Sequence, residues 1–224
     1  DGPTGSHGRC YSSSLFLFSS FYVILAPVRG RYLVRSLKSL LHREDRVCPW
    51  WLIYTFDNPL RRFLHDPKTL LAPHVREGMT VADIGCGRGY FSIARAALVG
   101  DAGTVIAVDV QQKMLDMMQK RATRAGVARR IRPVLAARDD LGFRYPVDFV
   151  LAFWMVHETA DVPRFFRQVF SVLKEHGMLL IAEPKMHVHE QRFREIVQAA
   201  RDAGFLDRGA PAVRLSRTAL LERS

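Results

Sequence analysis

The 224-residue chain is 48% hydrophobic and 25% charged, a balance that excludes a disordered, collagen-like or polytopic membrane protein and fits one domain plus an extension. Its three cysteines, Cys10, Cys48 and Cys86, form no close pair, which excludes a disulfide scaffold or a four-cysteine zinc site and suits the reduced thiols of a cytoplasmic protein. A net charge of +11 raises nucleic acid, an anionic membrane or an acidic substrate as partners.

Much of that charge sits at the start. Residues 1–43 carry six basic side chains and one acid, Asp1, so the remainder holds 27 basic and 21 acidic residues. The leader, residues 1–46, opens on small flexible residues, and residues 11–28 then run without a charge. Its most apolar part, 15–28, falls short of the roughly 20 residues that span a bilayer. Leu33, Leu37, Leu40 and Leu41 follow at helical spacing among Arg31, Arg35 and Lys38. Three readings stay open: a signal anchor or membrane-surface helix spanning residues 11–43, a targeting peptide, or a bland extension without chemistry, the last being favoured.

Residues 47–75 read as a helical lead-in. Asn58-Pro59 starts a helix with Leu60, Phe63 and Leu64 on one apolar face; His65-Asp66-Pro67 ends it and opens another. The adjacent Trp50 and Trp51 read either as core filling or as a lid over a neighbouring site.

Residues 76–224 form the main domain. Apolar runs predict strands at 80–84, 104–108, 131–135, 147–154 and 178–182. Amphipathic runs predict helices at 90–99, 112–124, 162–173 and 189–203, and 205–206 and 212–221 close as strand material. Strands separated by helices imply an α/β fold with a parallel sheet covered on both faces.

One motif carries the function. Asp83-Ile84-Gly85-Cys86-Gly87-Arg88-Gly89 joins the first strand to a helix. Alternate glycines permit positive φ and close approach of a ligand to the backbone, and the helix start offers free N–H groups. The spacing departs from the Gly-x-Gly-x-x-Gly of dinucleotide sites, with Tyr90 where the last glycine would stand. Asp83 adds a carboxylate suited to a ligand bearing an ammonium. Asp109 ends the second strand 20 residues beyond Gly89, where an acid either caps a helix or accepts hydrogen bonds from a ribose.

These residues resemble the class I S-adenosylmethionine-dependent methyltransferases, from about Cys48 to Ser224. The resemblance also rests on Asp148-Phe149-Val150, on Val172-Leu173-Lys174-Glu175-His176-Gly177 and on the C-terminal Gly204-Phe205 with Leu215–Leu221. Within that superfamily the chain is similar to small stand-alone enzymes near the quinone-biosynthesis and arsenite methyltransferases. It implies a Rossmann-like, doubly wound, seven-stranded sheet, mostly parallel with the last strand antiparallel. It implies S-adenosyl-L-methionine as cofactor and methyl transfer to a small-molecule acceptor, promoted mainly by alignment.

Carried over residue by residue, Asp83, Gly85, Cys86 and Gly87 would border the methionine moiety and Gly89 would shape the turn. Asp109 would hold the ribose and Val110 the adenine. The family's usual aspartate for the adenine amino group falls on Ala137, with Asp139 and Asp140 out of place. Phe153 and Trp154 would face cofactor and acceptor, and Glu183 would touch the acceptor. His157 reads either as a cap or packing residue or as a general base. Cys86 suits packing in the turn better than thiol chemistry. His187, His189 and Glu190 lack a ligand to complete a tetrahedral site, so no metal is expected.

An RNA or protein methyltransferase, or a cofactor-binding module without catalysis, stands as the alternative. The fourth strand ends Leu151-Ala152-Phe153-Trp154, without the Pro-Pro-Tyr type motif used on flipped bases, so nucleic acid is not the expected partner. The acceptor atom and the oligomeric state are not legible.

Overall fold

The computed structural model describes residues 64–224. The expectations for the leader, for Trp50 and Trp51 and for the first predicted helix as far as residue 63 lie outside the described residues.

A short helix, α1 (Pro67–Leu71), opens the description. Asp66 caps it, accepting hydrogen bonds from the backbone N–H of Lys68 and Thr69, and Pro67 takes the first turn, where a missing N–H costs nothing. Then follow β1 (Thr80–Ile84), α2 (Tyr90–Leu98), β2 (Thr104–Asp109), α3 (Gln112–Arg124) and β3 (Ile131–Leu135). The second half holds β4 (Val147–Phe153), α4 (Val162–Val172), β5 (Leu173–Pro184), α5 (Glu190–Asp202), β6 (Phe205–Gly209) and β7 (Ser216–Arg223).

The strands form one sheet in the order β3-β2-β1-β4-β5-β7-β6. The pairings from β3 to β5 are parallel, and β7 runs antiparallel to both β5 and β6. The expected seven-stranded architecture is therefore the one found. Successive strand residues alternate between two cores. Val150 and Ala152 join α4 and α5 on one face, whereas Phe149, Leu151 and Phe153 join α2 and α3 on the other. Both faces are covered, which is why these strands read as unbroken apolar runs.

β5 is longer than its apolar run. It starts at Leu173, pairs there with Val147, and shifts register before Phe149 meets Met178. Lys174, Glu175 and His176 lie in the irregular part with their side chains exposed, so polarity hid this stretch from the sequence pattern. β7 likewise begins at Ser216 rather than residue 212.

Strand order reverses between β1 and β4, and in open α/β sheets ligands bind beyond the carboxyl ends of the strands at such a point. Among the described residues no helix is long and apolar enough to cross a membrane.

Candidate active site

The glycine turn leaves β1 at this reversal. Gly85, Gly87 and Gly89 have φ of 72°, 52° and 79°, values that L side chains rarely adopt. Space forbids a side chain as well: a Cβ on Gly85 would stand 2.9 Å from the Met155 side chain, and one on Gly89 2.3 Å from Met118. The turn after β1 thus touches the segment after β4. The N–H groups of Gly85 and Cys86 both reach the Val108 carbonyl at 2.9 Å, fastening the turn to β2.

Asp109 completes the fastening. One carboxylate oxygen accepts the Gly87 N–H and the other the Gln111 N–H, each at 2.9 Å. Burial raises its pKa from the ordinary carboxylate value, and the nearby Asp83 adds to the rise; the backbone donors from Gln111, Gly87 and Val110 hold it down. Beside it opens a recess of about 460 Å³ lined by Val110, Gln111, Ala136, Ala137 and Arg138, within the size range of small-ligand sites. Val110 is exposed there. Asp139 and Asp140 do not compensate for Ala137, since Arg164 pairs with the first at 3.1 Å and Arg144 with the second.

Asp83 lies at the end of β1 as expected, with its carboxylate engaged by protein partners. It is buried, accepts a hydrogen bond from Ser92 Oγ at 2.5 Å, and pairs with Arg95 Nη1 at 3.4 Å. Its charge offsets a fully buried guanidinium in the β1–α2 contact. Arg95 also donates to the Ala82 carbonyl and lies over the Phe149 ring. The sequence pattern missed Arg95 because an arginine is normally solvated.

Phe153 departs from expectation. It is 6% exposed and packs on Phe91 at 4.6 Å between ring centroids, so it is core beneath the site. Cys86 is buried too; burial, with the charges of Asp83 and Asp109, pushes its thiol well up, which keeps it protonated and inert.

Trp154 keeps its position at the strand end. It adopts φ of 59°, a strained region for a bulky residue that surrounding contacts must hold. Its N–H reaches the Ala182 carbonyl at 2.7 Å and its indole N–H donates to Ser216 Oγ at 2.8 Å. The His65 ring meets both Phe153 and Trp154 edge-on, and Tyr90 donates to the His65 carbonyl. The end of the lead-in therefore lies against this edge of the sheet.

His157 and Glu183, 26 residues apart, come together through the β4–β5 pairing. Glu183 is fully buried. One of its oxygens accepts the Val156 N–H at 2.9 Å and the other pairs with His157 Nδ1. Burial alone would lower the His157 pKa, but the hydrogen bond and charge of Glu183 and the charge of Glu158 raise it. The His187 ring stacks at 6.3 Å. Among the described residues no group of three or more His, Cys, Asp or Glu side chains is placed to hold a metal.

Glycine turn, strand-end acid, adjoining recess and polar pair thus share the carboxyl edge of β1, β2, β4 and β5. Residues 81–177 match the methyltransferase domain family. That stretch is a methyltransferase domain. The domain is similar to a demethylmenaquinone methyltransferase of Symbiobacterium thermophilum, 31% identical over 111 residues, covering 49% of this chain and 44% of that protein. A ubiquinone/menaquinone biosynthesis C-methyltransferase of an Enterobacter species is 30% identical over 110 residues, with the same coverage. The chain spans less than half the length of these curated relatives. A SAM-dependent methyltransferase structure from Aquifex aeolicus shares the fold, with a TM-score of 0.71 and 23% identity over 80% of this chain and all of that one.

The methyltransferase domain fits S-adenosyl-L-methionine, the cofactor of its class. Gly85 and Gly89 are packed by Met155 and Met118, and the recess beside Asp109 has room for a ring.

Proposed function

We propose that this protein transfers a methyl group from S-adenosyl-L-methionine to a small-molecule acceptor. The observation that carries the reading is the recess of Val110, Ala136 and Ala137 beside Asp109, the residue that also holds the glycine turn at Gly87. A nucleoside laid along this edge would place its base in the recess and its ribose at Asp109, whose oxygens each keep a lone pair for a hydroxyl. Gly85 and Gly87 would border the methionine portion through backbone alone. The cofactor supplies a methyl group already activated on a sulfonium, so the protein's task is alignment and exclusion of water.

The acceptor would enter from the Trp154 side, where the loops after β4 and β5 meet. The curated relatives are named for demethylmenaquinone and for ubiquinone and menaquinone biosynthesis, so a quinol ring is the first acceptor to test. Calorimetry should show S-adenosyl-L-methionine binding and NAD failing to compete; tighter binding of NAD ends the reading. Label transfer from methyl-labelled cofactor to a quinol, run beside bulk tRNA, separates a small acceptor from RNA, and methylated tRNA alone would select the alternative.

A further inference from the structure

We infer that His157 is the general base of the transfer and that Glu183 is its positioning residue, so that the acceptor is one whose nucleophilic atom still carries a proton, an acidic hydroxyl. The inference rests on the methyl-transfer reading and deepens it.

Glu183 is built to be immobile. Its side chain is fully buried at the end of β5, and both oxygens are engaged, one by the Val156 backbone and one by the imidazole. A carboxylate can only accept, so the His157 nitrogen facing it, Nδ1, must carry the hydrogen. The neutral ring is thereby fixed as the tautomer whose Nε2 holds the lone pair. His157 is 23% exposed where Glu183 is 0%, so the outer part of the ring reaches solvent at the carboxyl edge of the sheet. This is the orientation a base requires, with a buried acid behind it to stabilise the imidazolium that forms. A packing histidine needs neither a fixed tautomer nor a buried counter-charge.

The other titratable groups around the ring act in the same sense or are neutral to it. Glu158 Oε1, from the turn that carries His157, lies 4.0 Å from Nε2 and also favours the protonated ring. His187, from the loop after β5, stacks on the ring and supplies no anion. In the step, the acceptor oxygen bonds to the methyl carbon as the carbon–sulfur bond breaks. The bond pair stays on sulfur, giving S-adenosylhomocysteine, and the hydroxyl proton passes to Nε2. An acceptor that arrives already ionised, such as a thiolate, would need none of this.

Two readouts on the full chain test the pair. Histidine NMR titration, without cofactor, should place the His157 midpoint above the ordinary value of about 6.5, with Nδ1 protonated. Glu183→Gln should lower that midpoint by about one pH unit or more, while His187→Gln leaves it in place. An unchanged midpoint in Glu183→Gln overturns the pairing. The second readout uses 4-nitrocatechol, whose visible spectrum reports loss of its proton, with S-adenosylhomocysteine present. The wild type should bind the probe and ionise it below the pH at which it ionises in water, and His157→Gln should bind it without that shift. Failure to bind the probe, or the same ionisation in both proteins, overturns the base assignment. S-adenosylhomocysteine affinity measured by calorimetry stays unchanged in Glu183→Gln and His157→Gln; its absence from the wild type would instead sink the methyl-transfer reading.

Discussion

The Asp109 carboxylate accepts the Gly87 N–H at 2.9 Å, so the acid that ends the second strand holds the turn that leaves the first. One side chain thus shapes the backbone cradle and stands where a ribose would lie. Asp109→Ala should weaken S-adenosyl-L-methionine binding by about 1.5–3 kcal/mol, the scale of hydrogen bonds to a charged group. Asp109→Asn, which keeps an acceptor for one of the two backbone donors, should lose less. Calorimetry on both variants checks this, and equal affinity for wild type and Asp109→Ala would leave Asp109 a purely local cap.

The Arg95–Asp83 pair lies at the centre of the β1–α2 contact, both side chains almost wholly out of solvent. Removing one partner leaves a buried charge uncompensated, which typically costs about 3–5 kcal/mol. Arg95→Met should therefore be severely destabilised in urea unfolding, and Asp83→Asn combined with Arg95→Met should recover part of the loss. A double variant no more stable than Arg95→Met would show that the two side chains are not coupled.

The pairing of His157 also makes a signed prediction for stability. Its folded pKa is raised, so the folded state holds the proton more tightly than the unfolded chain. The resulting stabilisation is fully present below the ordinary histidine value of about 6.5 and is lost as pH rises through the folded value. The stability gap between wild type and His157→Gln, from denaturation midpoints, should be wider at about pH 5.5 than at about pH 9. An equal gap at both would mean that the histidine contributes only through packing.

The leader carries no part of the proposed site. A protein lacking residues 1–43 should keep its far-ultraviolet circular dichroism per residue and bind S-adenosyl-L-methionine within about twofold of the full chain, the scatter of a change remote from core features. Loss of binding would make those residues part of the fold.

The sheet was legible because its strands are buried on both faces. Val81, Val105, Val150 and Leu179 needed no partner information to be read as strand, and Gln112–Arg124 declared its helix through Met114, Leu115, Met118 and Ala122, all buried. The glycine turn was legible because only glycine tolerates that backbone and that crowding. What could not be read were properties of register and of pairing across elements. Glu183 meets His157 because Phe153 stands opposite Ala182. Ser216 meets the Trp154 indole because β7 pairs antiparallel with Pro184 as its first partner. Arg95 looked like one more solvated arginine on an amphipathic helix, because its burial depends on pairing with Asp83 across elements. Phe153 sat at the right end of the right strand, but the side-chain alternation of the pleat turns it toward α2.

The position of β7 between β5 and β6 bears on how the molecule is made. β6 precedes β7 in the chain, yet among the described residues it joins the sheet only through β7. Until β7 emerges, the open side of β5 presents an unpaired backbone ladder from Met178 to Pro184, a template for pairing with another chain. The nascent domain can assemble β1 to β5 early, but the indole of Trp154 has no hydroxyl to meet until Ser216 arrives. The acceptor side of the site thus waits on β7, and a chain cut before residue 216 would carry the glycine turn on a sheet whose β5 edge is exposed, a state prone to aggregate.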